Sequence, residues 1–188
     1  MTAVHLEYTS SWTAADLDRI PAEFRAEIVY GALVMNPAPS KRHQHLIYQL
    51  IDQLNPQLPD GWVCTFDIDV IFADDHTRRP DLAVVREATF DVNPTPPAEI
   101  ALIVEVVSPG SESVDRKDKP GEYAEAGIPV FWRIETRGAI ALVAYELVGD
   151  DYLEHPPETD TFTTRQPWPL TIDIPDLARI GPKRSAQS

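Results

Sequence analysis

The sequence predicts a mixed α/β domain, α/β with α+β character, in which one central mixed β-sheet is flanked by helices. Three features point there. Leu46, Ile47, Leu50, Ile51 and Leu54 recur at the three- and four-residue spacing of one buried helical face. From Gly61 the pattern changes to β-forming runs broken by polar turns. Ile100–Val107 is a near-continuous apolar run holding one acid, as expected of a strand covered on both faces. The order helix, strands, helix, strands suits a domain built around one sheet.

Each element has its own signal. Residues 11–19 read as a short helix, with Thr13 as N-cap before Ala14, Ala15 and Leu17. Ala26–Met35 carries β-formers on both sides of Tyr30-Gly31, hence two strands and a turn. After Asn36-Pro37-Ala38-Pro39, Ser40 caps a helix running to about Leu54. Trp62–Phe72 and Pro80–Val85 read as strands separated by a polar turn, Ala73–Arg79. A helix over Pro120–Ala126 is stopped by Gly127. Pro129–Glu135 and Ile140–Leu147 form a strand pair, and Pro169–Ile180 a docked strand and short turn.

Bulk properties bound the class. At 188 residues, with 43% hydrophobic residues, the chain suits one domain over 1–182 and a disordered basic tail over 183–188. A lone cysteine, Cys64, excludes an internal disulfide or a multi-cysteine metal cluster and suits a reducing cytoplasm. The N-terminus has neither a basic start nor an apolar run, so no signal peptide is expected. No apolar stretch approaches the roughly 20 residues of a membrane span. Charge runs against a nucleic-acid reading: 30 acidic residues face 16 basic ones, a formal net charge of −14. A chain like this holds polyanions only where its bases cluster or metals neutralise its acids.

Two acids stand where acids are costly. Asp81 opens the run Asp81-Leu82-Ala83-Val84-Val85, and Glu105 sits within Leu102–Val107. A buried lone carboxylate needs a partner, a metal or a raised pKa. Hard oxygen ligands, few histidines and no thiolate cluster favour Mg²⁺ or Mn²⁺ over zinc. The plainer readings are a turn residue for Asp81 and an arginine-paired or strand-end acid for Glu105. Downstream, the run from Asp115 to Lys119 offers lysines that could orient water or stabilise phosphoryl charge, although most lysines sit on solvated faces. His43 and His45 point about 200° apart on a helix and cannot chelate one ion together. Cys64 reads as a small buried hydrophobe, and Trp62, Phe131 and Trp132 as core. Arg78 and Arg79 either meet a phosphate or form surface ion pairs with Asp74 and Asp75.

A family resemblance runs through these strings. Glu27–Met35, Arg42-His43-Gln44, Arg79-Pro80-Asp81-Leu82-Ala83-Val84-Val85, Ile103–Pro109, Asp115–Lys119, Tyr123, Gly127-Ile128-Pro129, Phe131-Trp132-Arg133-Ile134 and Leu170–Ile174 resemble, in that order, the Uma2 family (DUF820) of restriction-endonuclease-like proteins, within the PD-(D/E)XK nuclease superfamily. The resemblance spans nearly the whole chain. It implies a restriction-endonuclease-like core, with Asp81 and Glu105 as the paired acids of a metal site. The superfamily's lysine lies two residues beyond the second acid, where this chain has Val107; the resemblance moves that role to Lys119 on the next helix. Glu27 and His43 match accessory positions. Because Pro120-Gly121 follows Lys119, the helix is expected to begin at or just before Pro120, leaving Lys119 at its cap and Lys117 as substitute.

These readings together imply a Mg²⁺- or Mn²⁺-dependent endonuclease acting on nucleic acid, DNA favoured. Asp81, Glu105 and the carbonyl of Val106 would bind the metal, and Lys119 or Lys117 would stabilise charge. A homodimer would suit double-strand cutting. The rival reading keeps the fold as a catalytically weak or inactive binding or assembly module, and a third replaces DNA with RNA or a small phosphoester.

Overall fold

In the computed structural model, which describes residues 11–21, 24–108 and 110–181, the chain enters through a 3₁₀ turn, Ala14–Arg19. The N–H and hydroxyl of Thr13 both donate to the Asp16 carboxylate at 2.9 Å, as its N-cap reading anticipates. Strands β1 (Arg25–Val29) and β2 (Ala32–Asn36) form a two-residue hairpin at Tyr30-Gly31. Both turn residues have positive φ, 50° and 77°, matching the strands' twist. A Cβ on Gly31 would stand 2.5 Å from the Ser11 hydroxyl, so only glycine fits there. Helix α1 (Lys41–Leu54) follows, its first turn closed by the Ser40 hydroxyl accepting from His43 N–H at 3.2 Å.

The run expected as one strand over Trp62–Phe72 is two. Strand β3 (Trp62–Thr65) ends before Phe66, and β4 (Val70–Ala73) belongs to a different sheet. The break carries Asp67 at φ 59°, a left-handed residue no strand accommodates. Nor is Ala73–Arg79 only a polar turn. His76–Arg78 forms β5, paired antiparallel with β4 and wholly buried, with Thr77 and Arg78 finding partners inside. Polar composition therefore misrepresented burial here.

Strands β6 (Leu82–Arg86) and β7 (Ile100–Val106) follow, β7 buried along its whole length. A helical connection then crosses to β8 (Val130–Glu135), parallel to β7. β9 (Ala141–Val148) and β10 (Asp151–Glu154) continue by hairpins, giving a sheet order β10-β9-β8-β7-β6-β3. All neighbours but β7 and β8 run antiparallel, so the sheet is mixed as expected. β10 and β11 (Thr161–Thr164) lie in a stretch without clear periodicity and were not anticipated. β12 (Leu170–Asp173) pairs with β11, and the short helix α3 (Ile174–Leu177) docks after it, as read for Pro169–Ile180. The tail 183–188 lies outside the described residues.

The crossover corrects a second expectation. The α-helical segment α2 (Lys119–Glu125) does begin just before Pro120, but helical conformation is already present at Glu112 and Ser113 and passes through a π turn, Val114–Asp118, into it. Lys119 N–H reaches back five residues to Val114 O. Proline has no N–H and its ring presses on the carbonyl four residues back; a turn one residue wider relieves both demands. Lys119 is thereby placed inside the helix and buried, not at a cap.

Side-chain alternation divides the sheet. Leu82, Val84, Leu102, Val104, Trp132 and Ile134 face α1, β12 and α3. Ala83, Val85, Ile103, Phe131 and Tyr145 face α2 with Tyr123 and Ile128. Cys64 is half-buried against the first of these cores, less enclosed than expected, and burial raises its thiol to about 12. Phe131 and Trp132 are fully buried, and Trp62 packs partly buried against Trp168.

Candidate metal centre

Glu105 follows Ile103 on the α2 face of β7, and the β6–β7 register, Leu82 opposite Val104, sets Asp81 across from it at the strand entrance. Asp81 therefore precedes β6 rather than lying within it. Its carboxylate is held from two sides: Oδ2 accepts from Val106 N–H at 2.8 Å, and Oδ1 lies 2.9 Å from His43 Nε2. Ser40 starts α1 where it does, and that start delivers His43 from the first turn to the sheet edge. His45 turns away, its Nε2 on the carbonyl of Arg179 at 2.7 Å, in line with the 200° separation.

Glu105 is almost fully buried and accepts twice: from Tyr123 Oη at 2.6 Å and from Lys119 Nζ at 2.8 Å. Lys119 also reaches Asp115, one turn earlier, at 3.0 Å. The widened turn before Pro120 brings Asp115, Lys119 and Tyr123 to the same side, over Glu105. Burial pushes the Glu105 carboxyl up to about 8, with Asp81 and Asp115 adding to the rise and Lys119 opposing it. Lys119 moves upward despite its own desolvation, because Glu105, Asp115 and Glu27 surround its ammonium. Tyr123 is held neutral by burial beside Glu105. The ammonium is thus permanent, and the acid is the group that titrates.

Glu27 stands behind this cluster. Its carboxylate accepts from Arg79 N–H at 2.9 Å and from Arg78 Nη1 at 3.1 Å. Arg78 also grips Glu122 of α2 through two hydrogen bonds of 2.7 Å, which tie β1, β5 and α2 together. Burial favours a protonated Glu122, but the Arg78 hydrogen bonds and charge outweigh it and hold the acid ionised. Arg79 forks onto Asp69 at 2.9 and 3.0 Å. The alternatives for these arginines were a phosphate or surface pairs with Asp74 and Asp75; both residues instead form internal ion pairs with other acids.

Of the residues singled out by sequence, Asp81, Glu105, Lys119, Glu27, His43 and Val106 converge; Lys117 is exposed and lies outside the cluster. Sequence reasoning missed Asp115 as a second partner of the lysine, Glu122 and the clamp of Arg78. The four-residue spacing of Asp115 and Lys119 was the available signal, since it stacks them on one helical side. The donor set fits a hard divalent ion in kind: two carboxylates and a main-chain carbonyl. Among the described residues no three His, Cys, Asp or Glu side chains gather closely enough to hold a metal.

Comparison with known proteins places the chain in a family and matches its fold. The model of the Uma2 family, described as "Putative restriction endonuclease", matches residues 14–175. The chain belongs to the Uma2 family. A crystal structure from Anabaena variabilis, titled as a "putative nuclease belonging to DUF820", superposes with a TM-score of 0.66 at 16% identity, over 88% of this chain and 97% of that one. At that identity the likeness establishes a shared fold. No curated protein matches the chain. The matched Uma2 span contains every residue of the buried cluster, from Glu27 to Tyr123.

Proposed function

We propose that the chain is a divalent-metal-dependent endonuclease that hydrolyses phosphodiester bonds of nucleic acid, DNA favoured. The observation that carries this reading is the convergence of Asp81, Glu105 and Lys119 at one end of β6 and β7, in a chain of the Uma2 family. Asp81, Glu105 and the Val106 carbonyl would hold Mg²⁺ or Mn²⁺. Such an ion, when bound, lowers the pKa of water and offsets charge on the phosphate. His43 and the Val106 N–H fix the direction of Asp81. Tyr123 fixes Glu105, leaving one carboxylate oxygen outside that bond. Lys119 keeps its proton and is the group positioned to donate toward the attacking water or a non-bridging phosphate oxygen. Glu27 and Arg78 act behind them as supports. Lys117 has no geometric support for a role. Among the described residues no helix is long and apolar enough to cross a membrane; a cytoplasmic place of action belongs to this proposal, as does a two-fold homodimer that would set one site on each strand.

The test is nicking or linearisation of supercoiled plasmid with Mg²⁺, with Mn²⁺ and with EDTA. Metal-dependent cutting by wild type and none by Glu105→Ala or Asp81→Ala is expected; equal cutting by the variants would sink the assignment. One observation favours the rival reading of a binding or assembly module: Glu105 is already satisfied by Lys119 and Tyr123. Calorimetry separates the two, because tight Mn²⁺ binding that depends on Glu105 is expected only of the nuclease.

A further inference from the structure

A groove of about 740 Å³ opens beside the candidate metal centre, between the start of α1, the end of β7 and the β8–β9 turn. It touches the centre through two of its lining residues. His43 lies 2.9 Å from Asp81 Oδ1, and Val106 donates its N–H to Asp81 Oδ2 at 2.8 Å. The groove therefore reaches the two residues that hold Asp81.

The charge of the groove departs from that of the chain. Among the described residues no Asp or Glu lines it, although acids outnumber bases 30 to 16 overall. Lys41 and Arg42 stand exposed at its lip, and neither has an ion-pair partner among the described residues. His43 and His45 stand beside them. By contrast, another groove, of about 980 Å³, mixes Glu146 and Glu158 with His155 and Arg165. The floor of the first is aliphatic: Leu46, Val107 and Leu177 are buried and Ile140 half-buried.

Resting on the nuclease reading, we infer that this groove binds unpaired nucleotides of a single-stranded nucleic acid beside the scissile phosphate. A duplex offers phosphates but hides its base faces in the stack. A single strand offers both, with the cationic lip meeting its phosphates and the aliphatic floor its exposed base faces. The volume falls within the range of clefts that enclose small ligands, about 300–1,000 Å³, the size for an unstacked base or two and not for a helix. The acid-free lip also explains how a chain of net charge −14 can take a polyanion.

The experiment is fluorescence anisotropy in EDTA, so that it is independent of cleavage. A labelled oligonucleotide of roughly 12 nucleotides, within the span of single-strand sites, is titrated as single strand and as blunt duplex. Wild type, Lys41→Glu/Arg42→Glu and Ile140→Asn are compared, with thermal melts as folding control for each. Wild type is expected to bind the single strand about tenfold or more tighter than the duplex. The double charge reversal is expected to weaken it at least about tenfold and to lower the salt slope by about 0.7 per lost phosphate contact. The floor variant should weaken single-strand binding with no change in salt slope. Equal or tighter duplex binding, or undiminished binding by the folded charge-reversed protein, overturns the inference. Single-strand binding without metal-dependent cutting leaves the groove standing and removes the nuclease reading. Cutting that is indifferent to both groove variants does the reverse.

Discussion

The two faces of the central sheet are built to different ends. Toward α1 the packing is almost wholly apolar, with Leu46, Leu50 and Leu54 meeting Leu82, Leu102, Val104 and Trp132. Toward α2 the apolar cluster around Tyr123 and Phe131 shares its space with Glu105, Lys119, Asp115, Glu27 and Arg78, all buried. Burying apolar area stabilises directly, at about 25 cal/mol per Å². Burying ions costs desolvation that ion pairing only partly offsets, so such a cluster contributes little stability for its size. One face holds the fold together, and the other uses that stability to keep a carboxyl, an ammonium and a phenol in fixed register.

That contrast is open to direct attack. The largest effect is expected from Glu105→Gln, which keeps an acceptor for Tyr123 and Lys119 but removes a charge. Cleavage should fall by about 10³-fold or more, several kcal/mol of transition-state stabilisation. Chemical denaturation should show stability within about 1 kcal/mol of wild type. A large loss of stability with cleavage intact would invert the assignment of the two faces.

Trp132→Ala is the matching experiment on the α1 side. Trp132 is fully buried and meets Phe162 edge-on, ring centres 5.3 Å apart. Truncation should cost about 3–5 kcal/mol and lower Tm by roughly 10 °C in a domain of this size. Cutting per folded molecule should survive at temperatures where the variant stays folded. Arg78→Met comes next: it strands Glu27 and Glu122 without their shared cation, at a cost of about 3 kcal/mol measured by urea unfolding. A neutral outcome would mean that the clamp does not tie β5 to α2.

Stability against pH should distinguish the faces more finely. The Glu105 carboxyl rises in the fold from its ordinary 4.5 to about 8, mainly by burial. A raised carboxyl pKa favours the fold fully below 4.5, and that contribution is lost as pH climbs through 8. In EDTA the wild type should therefore lose stability between these values, by at most about 1.4 kcal/mol per pH unit for one proton. Lys119 does not blur the window, because its upward shift is felt only above its ordinary 10.5. Glu122, shifted downward, acts on the acid side, where its contribution falls away below about its ordinary 4.5. Glu105→Gln should flatten the slope between 4.5 and 8, and Trp132→Ala should leave it unchanged. An identical slope in both variants would place the titrating group elsewhere.

The two faces were also unequally legible in the sequence. The α1 side announced itself through the spacing of Leu46 to Leu54 and the run over β7, since apolar burial imprints a period. Asp81 and Glu105 were legible as acids in apolar company. The rest of the α2 side was not, because polar residues buried by mutual pairing look like surface residues. His76-Thr77-Arg78 read as a turn and is a buried strand. Pro120 read as a helix start because proline usually is one; a π turn, which leaves no mark in composition, made it an interior residue. That same turn settled which lysine faces the acids.

The smallest effect expected is at Lys117, and it tests that turn. Lys117 and Lys119 are two residues apart, so they project to different sides of the helix. Lys119 is buried on Glu105 and Asp115, while Lys117 is exposed. Lys117→Ala should change stability by no more than about 0.5 kcal/mol and cleavage by less than about twofold. Lys119→Ala should lower cleavage by about 10²-fold and leave two buried acids facing each other across an empty place. If Lys117→Ala were the more damaging to cleavage, the assignment of the lysine role to Lys119 would fall.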